Sequence, residues 1–158
     1  MPRALRKTSK KDRETPQWFF NKLDREFGFT LDAAADETNA KCTFFFSENT
    51  DALSITWGEN EIVWLNPPYG RGRKTEDWVA KAYEESTKGT TVVMLLPAST
   101  DTYWWHNYAL KYAEIRFVNG RLKFDGLPGP GWFANVVLIF RPGQDRAFLG
   151  PAISAREH

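Results

Sequence analysis

The stretch "IVWLNPPYGRGR", Ile62 to Arg73, decides how this chain is read. Ile62–Leu65 is an apolar run of strand length, and it stops at Asn66-Pro67-Pro68-Tyr69. Proline has no N–H to donate to a strand ladder, and two in succession hold the backbone extended and rigid. The strand therefore reads as a mount for the four residues at its end. The Asn66 carboxamide oxygen and the Pro67 carbonyl are two acceptors held close together, and Tyr69 adds a flat face. This set suits a planar group bearing an exocyclic NH₂, such as adenine. Accepting both N–H groups turns the nitrogen lone pair out of conjugation and aims it, so the chemistry is orientational and needs no classical base. The plainer alternative is a rigid strand-ending turn. A proline-rich docking ligand has the wrong spacing, because Tyr69 follows Pro68 directly.

Outward from this stretch, strands and helices alternate. Thr15-Pro16 reads as a cap followed by proline at the first helical position, and Trp18, Phe19, Leu23 and Phe27 recur at helical spacing until Gly28. Phe29–Ala35 reads as a short buried strand, Asn39–Thr43 as a helical turn and Phe44–Phe46 as another apolar run. The Asp51–Trp57 segment mixes a turn with extended residues. Thr75–Thr87 is an amphipathic helix, and Thr91–Leu96 has the unbroken apolar run of a strand buried on both faces. A further helix is expected over Asp101–Tyr112. Glu114–Val118 and Leu122–Phe124 flank the turn signal Asn119-Gly120, and Asn135–Phe140 is the last buried strand. The expectation is an α/β fold with an open, mostly parallel sheet and an antiparallel edge hairpin. Ligands on such sheets bind beyond the carboxyl ends of the strands, where "LDAAAD" and "NPPYG" both fall.

A chain of 158 residues, 42% apolar and 26% charged, fits a single globular core. Aromatics reach 15%, with 7 Trp and 12 Phe, which is enough for a core and for base-stacking surfaces. Six basic side chains, Arg3, Arg6, Lys7, Lys10, Lys11 and Arg13, stand against Asp12 alone in the first thirteen residues. That is +5 in a chain of net charge +1, so the remainder carries −4. Residues 1–14 read as a basic flexible arm, either solvated or bound to a polyanion, and residues 144–158 as a tail. With one cysteine, Cys42, no internal disulfide is possible, which fits a reducing cytoplasm. One cysteine and two histidines cannot build a Cys/His zinc cluster, so no metal is expected. No apolar run is long enough for a membrane span, and none is expected.

Several motifs recur in one order: "TPQWFFNKLDREFGFTLDAAAD", "NAKC", "WLNPPYGR" and "LLPASTDTYWWH". Together, over about Thr15 to Phe140, they resemble the phage-type, Dam-like DNA N6-adenine methyltransferases. The resemblance implies a compact Rossmann-like methyltransferase fold, with residues 15–143 as the catalytic domain and S-adenosyl-L-methionine as cofactor. It implies that Asn66, Pro67, Pro68 and Tyr69 hold and stack an adenine flipped out of double-stranded DNA. Asp32, Ala33, Ala34 and Asp36 match the cofactor-binding segment, with Asp32 facing the cofactor's cationic amino group. Asn66 borders the cofactor as well. Thr15, Pro16 and Trp18 match the element closing over the methionine end, and Asp51 is a candidate for the cofactor's adenine amino group. The chain departs from the general methyltransferase pattern in having "DAAAD" where a Gly-x-Gly loop is usual. Alanine allows close approach but not positive φ.

Arg71, Arg73 and Lys74 directly follow the active-site loop and are expected to contact phosphate beside the flipped base. Trp105 and Arg121 complete the expected DNA contacts; core packing competes for Trp104, Trp105 and His106. No separate target-recognition domain is expected, so specificity falls to loops and tails. The expected protein is a monomer or weak homodimer in the cytoplasm, the host's if phage-encoded. The rivals are methylation of a glutamine amide in protein or an amino group in RNA, and a non-catalytic nucleic-acid-binding module.

Overall fold

The structure is a computed structural model and describes residues 14–68, 74–125, 129, 131 and 133–157. The expected basic arm, apart from Glu14, lies outside them. The helices are α1 (Gln17–Phe27), α2 (Thr75–Ser86) and α3 (Leu110–Tyr112). The strands are β1 (Leu31–Asp32), β2 (Ile62–Leu65), β3 (Thr91–Pro97), β4 (Glu114–Asn119), β5 (Asn135–Phe140), β6 (Phe148–Leu149) and β7 (Ile153–Ser154). They form one sheet in the order β1-β2-β3-β5-β4-β6, with β7 following β6 along the outer edge of β4. Among the described strands β5 alone runs against the rest, between β3 and β4. The result is the expected open, mostly parallel, Rossmann-like α/β sheet. Its antiparallel strand lies inside the sheet, with β4, β6 and β7 beyond it.

Strand alternation sorts the core onto two faces. Val63, Leu65, Val92, Met94, Leu96, Val136 and Leu138 face α2 and the aromatic segment around Trp104 and Trp105. Trp64, Val93, Leu95, Val137 and Ile139 face α1, through Phe19, Phe20 and Leu23. Both faces are covered, so these strands have no polar side, and their sequences read as unbroken apolar runs. Gly28 ends α1 in the left-handed region (φ 68°), where its N–H bonds the Asp24 carbonyl at 2.8 Å.

Three expectations change. Leu122–Phe124 is no strand. Both edges of β4 are taken, by β5 and by β6 with β7, so the segment has no ladder to join. Leu122 and Phe124 pack fully buried on the α1 face instead, the Leu122 carbonyl accepts from the Gly131 N–H, and Asp125 bridges to Glu14. The expected tail over 144–158 contains β6 and β7, two residues each, which are too short to show a periodic pattern. The expected helix over Asp101–Tyr112 has a wide π turn at Trp105–Ala109 before α3. That turn keeps the adjacent rings of Trp104 and Trp105 both buried, 5.9 Å apart at 74°.

The far end of α1 is pinned by charge. Arg116, on β4, forms a bidentate pair with Glu26 at 2.8 and 2.6 Å and also bonds Glu114; Arg141 reaches Glu114 at 2.7 Å. Both guanidinium groups lie over the Phe27 ring. The hydrogen bond from Arg116 is the main reason the Glu26 carboxyl titrates below its ordinary range, against a smaller opposing effect of burial. The same pair raises the Arg116 guanidinium. Gly150 passes so close to Glu114 that any side chain at 150 would run into the carboxylate.

Candidate active site

β2 ends at Asn66 because Pro67 and Pro68 follow. Asn66 is 2% exposed, and its Nδ2 donates to the Thr15 Oγ1 at 3.0 Å. Thr15, 1% exposed, is not the helix cap read from the sequence. Pro16 occupies that place, and its carbonyl accepts from the N–H groups of Phe19 and Phe20 at 3.0 and 3.1 Å. The Thr15 hydroxyl is thus available to the strand end. Pro67 is buried, Pro68 is exposed, and Trp18 is half-buried with its ring edge-on to Phe19. Tyr69, Arg71 and Arg73 lie outside the described residues.

β1 lies beside β2, with Asp32 opposite Trp64, so Asp32 comes two residues before the level of Asn66 on a neighbouring strand. Asp32 is fully buried. Its Oδ1 accepts from the Ala34 N–H at 3.2 Å and its Oδ2 from the Lys41 N–H at 3.0 Å. The carboxylate thereby folds residues 33–41 back over the strand end. Ala33 and Ala34 are buried, and the Ala33 N–H bonds the Trp64 carbonyl at 3.1 Å. Asp36 closes the turn: its carboxylate accepts from the Thr38 N–H and hydroxyl and from both the N–H and the side chain of Asn39.

Asp51 sits between two 3₁₀ turns in the left-handed region (φ 49°), and its carbonyl accepts from the Ser54 N–H and hydroxyl. The segment after it is locked to α2 by side chains that sequence reasoning did not single out. The Trp57 indole donates to the Ala52 carbonyl at 2.8 Å, and the Trp57 N–H donates to Glu85 Oε1 at 3.1 Å. Glu85 is fully buried and pairs with Lys81 at 2.9 Å, whose ammonium lies 5.9 Å from the centre of the Trp57 ring. An i,i+4 Lys–Glu spacing is visible in the sequence, but it ordinarily marks a solvated helix face.

At the same carboxyl edge, on the α2 side, a cleft of about 420 Å³ opens between Lys74–Glu76 and the segment Pro97–Trp104. Lys74 is exposed there. Trp105, expected to touch DNA, is 5% exposed and packs against Trp104 and Phe117, so the structure makes it a core residue. Arg121 is exposed just past the end of β4, on the same edge but three strand spacings from β2, about 14 Å. His106 is exposed, with Nε2 2.9 Å from the Thr100 carbonyl oxygen. Asn135, also missed, begins β5 opposite Pro97. It is 1% exposed and donates to the Leu96 carbonyl at 3.2 Å. Among the described residues no three His, Cys, Asp or Glu side chains group to hold a metal ion, and no helix is long and apolar enough to cross a membrane.

The structure thus joins Thr15 to Asn66, sets Asp32–Ala34 beside them, and leaves Asp36 and Asp51 on separate turns. Comparison with known proteins bears on what this arrangement belongs to. Among solved structures, a putative class I S-adenosylmethionine-dependent methyltransferase from Listeria monocytogenes overlaps 87% of this chain and 54% of its own, with TM-score 0.48 and 12% identity. A predicted O-methyltransferase from Agrobacterium tumefaciens overlaps 61% and 45%, with TM-score 0.37 and 19% identity. A DNA N-6-adenine-methyltransferase of Escherichia phage T1 is 38% identical over 112 residues, 70% of this chain. The match spans 46% of the phage protein, about half its length. The family profile described as DNA N-6-adenine-methyltransferase (Dam) matches residues 4–137. By that match and that identity, the chain belongs to the Dam family of DNA N-6-adenine-methyltransferases.

Proposed function

We propose that this chain transfers a methyl group from S-adenosyl-L-methionine to the exocyclic N6 of adenine in double-stranded DNA. The observation that carries this reading is Asn66, buried at the rigid end of β2 and bonded through Nδ2 to Thr15. That bond orients the carboxamide and makes Oδ1 its acceptor end. Beside the Pro67 carbonyl, it presents two acceptors to one amino group, as family membership leads one to expect.

The donor set at the strand ends suits the cofactor. Carboxylates at Asp32, Asp36 and Asp51 match its amino groups, the Thr15 hydroxyl can bond the methionine end, and the small side chains of Ala33 and Ala34 allow close approach to the backbone. Pro16 and Trp18 extend the wall formed by the start of α1. S-adenosylmethionine, when bound, supplies a methyl group on a sulfonium whose departure leaves a neutral thioether. The chain's own part is positional. Asn66 Oδ1 and the Pro67 carbonyl accept the two N6 hydrogens, which localises the nitrogen lone pair and points it at the methyl carbon. The N–CH₃ bond forms as the S–CH₃ bond breaks, and one N6 proton passes to solvent. Pro67 and Pro68 keep both acceptors in place, and Tyr69 is assigned as the ring on which the flipped base stacks. Lys74, with Arg71 and Arg73, is assigned to phosphate. A DNA substrate puts the working protein in the cytoplasm, with residues 15–143 as its catalytic unit.

The test is transfer of labelled methyl from S-adenosylmethionine to unmethylated DNA, followed by nucleoside analysis. Label in N6-methyladenine is the expected result. Label found only in protein or RNA would overturn the proposal in favour of an amide or RNA acceptor.

A further inference from the structure

We propose that the cleft between the start of α2 and the Pro97–Trp104 segment is a subsite for one nucleobase flanking the target adenine, with Tyr103 as its stacking face. This rests on the reading of the chain as a DNA methyltransferase. Three adjacent aromatics, Tyr103, Trp104 and Trp105, divide sharply: the two tryptophans are 4% and 5% exposed, while Tyr103 is 76% exposed and lines the cleft. The tryptophans fix the segment to the core, so Tyr103 is an outward ring on a rigid base. Such a ring stacks at little entropic cost, having two side-chain torsions to fix. A π turn follows at Trp105–Ala109, and wide turns of this kind recur at functional sites.

The position of the cleft argues for a flanking base over the target itself. Asn66 stands on the α1 side of the sheet, where it bonds Thr15; the cleft opens on the α2 side, one strand over. A base entering the cleft would be a neighbour of the one held at Asn66. Charge narrows the class of base. Among the described residues lining the cleft, Lys74 stands with the carboxylates of Glu76 and Asp101. Carboxylates accept from an exocyclic amino group, which adenine, cytosine and guanine carry and thymine lacks. The cleft thus favours a base with an exocyclic amino group over thymine beside the target. It gives the chain a means of choosing among adenines.

The experiment maps the adenines methylated by the wild-type chain in random-sequence DNA, then measures kcat and KM for DNA with Tyr103→Ala, Tyr103→Phe and Asp101→Asn. Cofactor affinity is followed in parallel by titration. Methylated adenines are expected to exclude thymine at one fixed neighbouring position. Tyr103→Ala raises the KM for DNA about tenfold or more, and Tyr103→Phe stays close to wild type, because stacking needs the ring and not the hydroxyl. Asp101→Asn, able to donate as well as accept, relaxes the neighbour preference, and no variant changes cofactor affinity. Wild-type transfer with no neighbour preference, or with an unchanged KM in Tyr103→Ala, overturns the subsite alone. No transfer to any DNA by the wild type overturns the subsite together with the reading beneath it.

Discussion

The ends of β1 and β2 stand side by side, and each carries a buried polar residue: Asp32, fully buried, and Asn66, 2% exposed. Burial does not distinguish them; their partners do. Asp32 accepts from backbone N–H groups no more than nine positions away, so its carboxylate shapes the chain around it. Asn66 donates to a hydroxyl 51 positions away, across the gap between β2 and the start of α1. A polar side chain holding its own loop serves the scaffold. One fixed from outside by another element is being aimed. On the proposed function, the end of β2 orients the acceptor base, while Asp32 holds the loop that borders the cofactor.

The sharpest way to break this contrast is Asn66→Ala. It is expected to lower kcat by about 100-fold or more, the usual cost of removing a preorganised polar contact to a reacting group, while cofactor affinity and thermal stability stay near wild type. A variant that kept its turnover would remove Asn66 from the chemistry. Asp32→Ala tests the other side. It strands the N–H groups of Ala34 and Lys41, and the expected cost is about 2 kcal/mol of unfolding free energy by denaturant titration. Unchanged stability would remove the loop-holding role of Asp32.

Thr15→Val asks whether the partner matters. It removes the Thr15 hydroxyl from the Asn66 Nδ2, at about 1 kcal/mol, and should lower kcat about fivefold; Thr15→Ser, keeping the hydroxyl, should restore it. The smallest effect comes from the other end of α1. The Arg116 pair depresses the Glu26 carboxyl, so its contribution to stability is present above the ordinary value of 4.5 and is lost as pH falls through the folded value. The Glu26 side chain is 48% exposed, which limits that contribution to well under about 1 kcal/mol. Wild type and Glu26→Gln should therefore differ slightly in melting temperature at neutral pH and converge in acid.

Parts of this arrangement are legible in the sequence because local patterns cause them. β2, β3 and β5 are covered on both faces, so they appear as unbroken apolar runs, and the prolines after Asn66 mark where the first of them stops. Other parts depend on which edges are already occupied. Leu122–Phe124 has the residues of a strand and no ladder to join, while Phe148–Leu149 pairs with β4 through two residues that carry no period. Thr15 is recognisable as special, but sequence shows only neighbours, so it suggests a cap where the real partner is Asn66. Among Tyr103, Trp104 and Trp105 the outward ring is Tyr103, a choice that composition does not reveal.

The pairing of Glu26 with Arg116 also sets a clock. The two residues are 90 positions apart, so Glu26 is made long before its partner. At about 5–20 residues per second, the ribosome needs about 5 to 20 s to reach Arg116. Through that interval α1, 11 residues long and marginal as an isolated helix, has no β4 to hold it. The aromatic face of α1 is made before every strand it later covers, and it meets β2 and β3 before the charge pair that pins its far end exists.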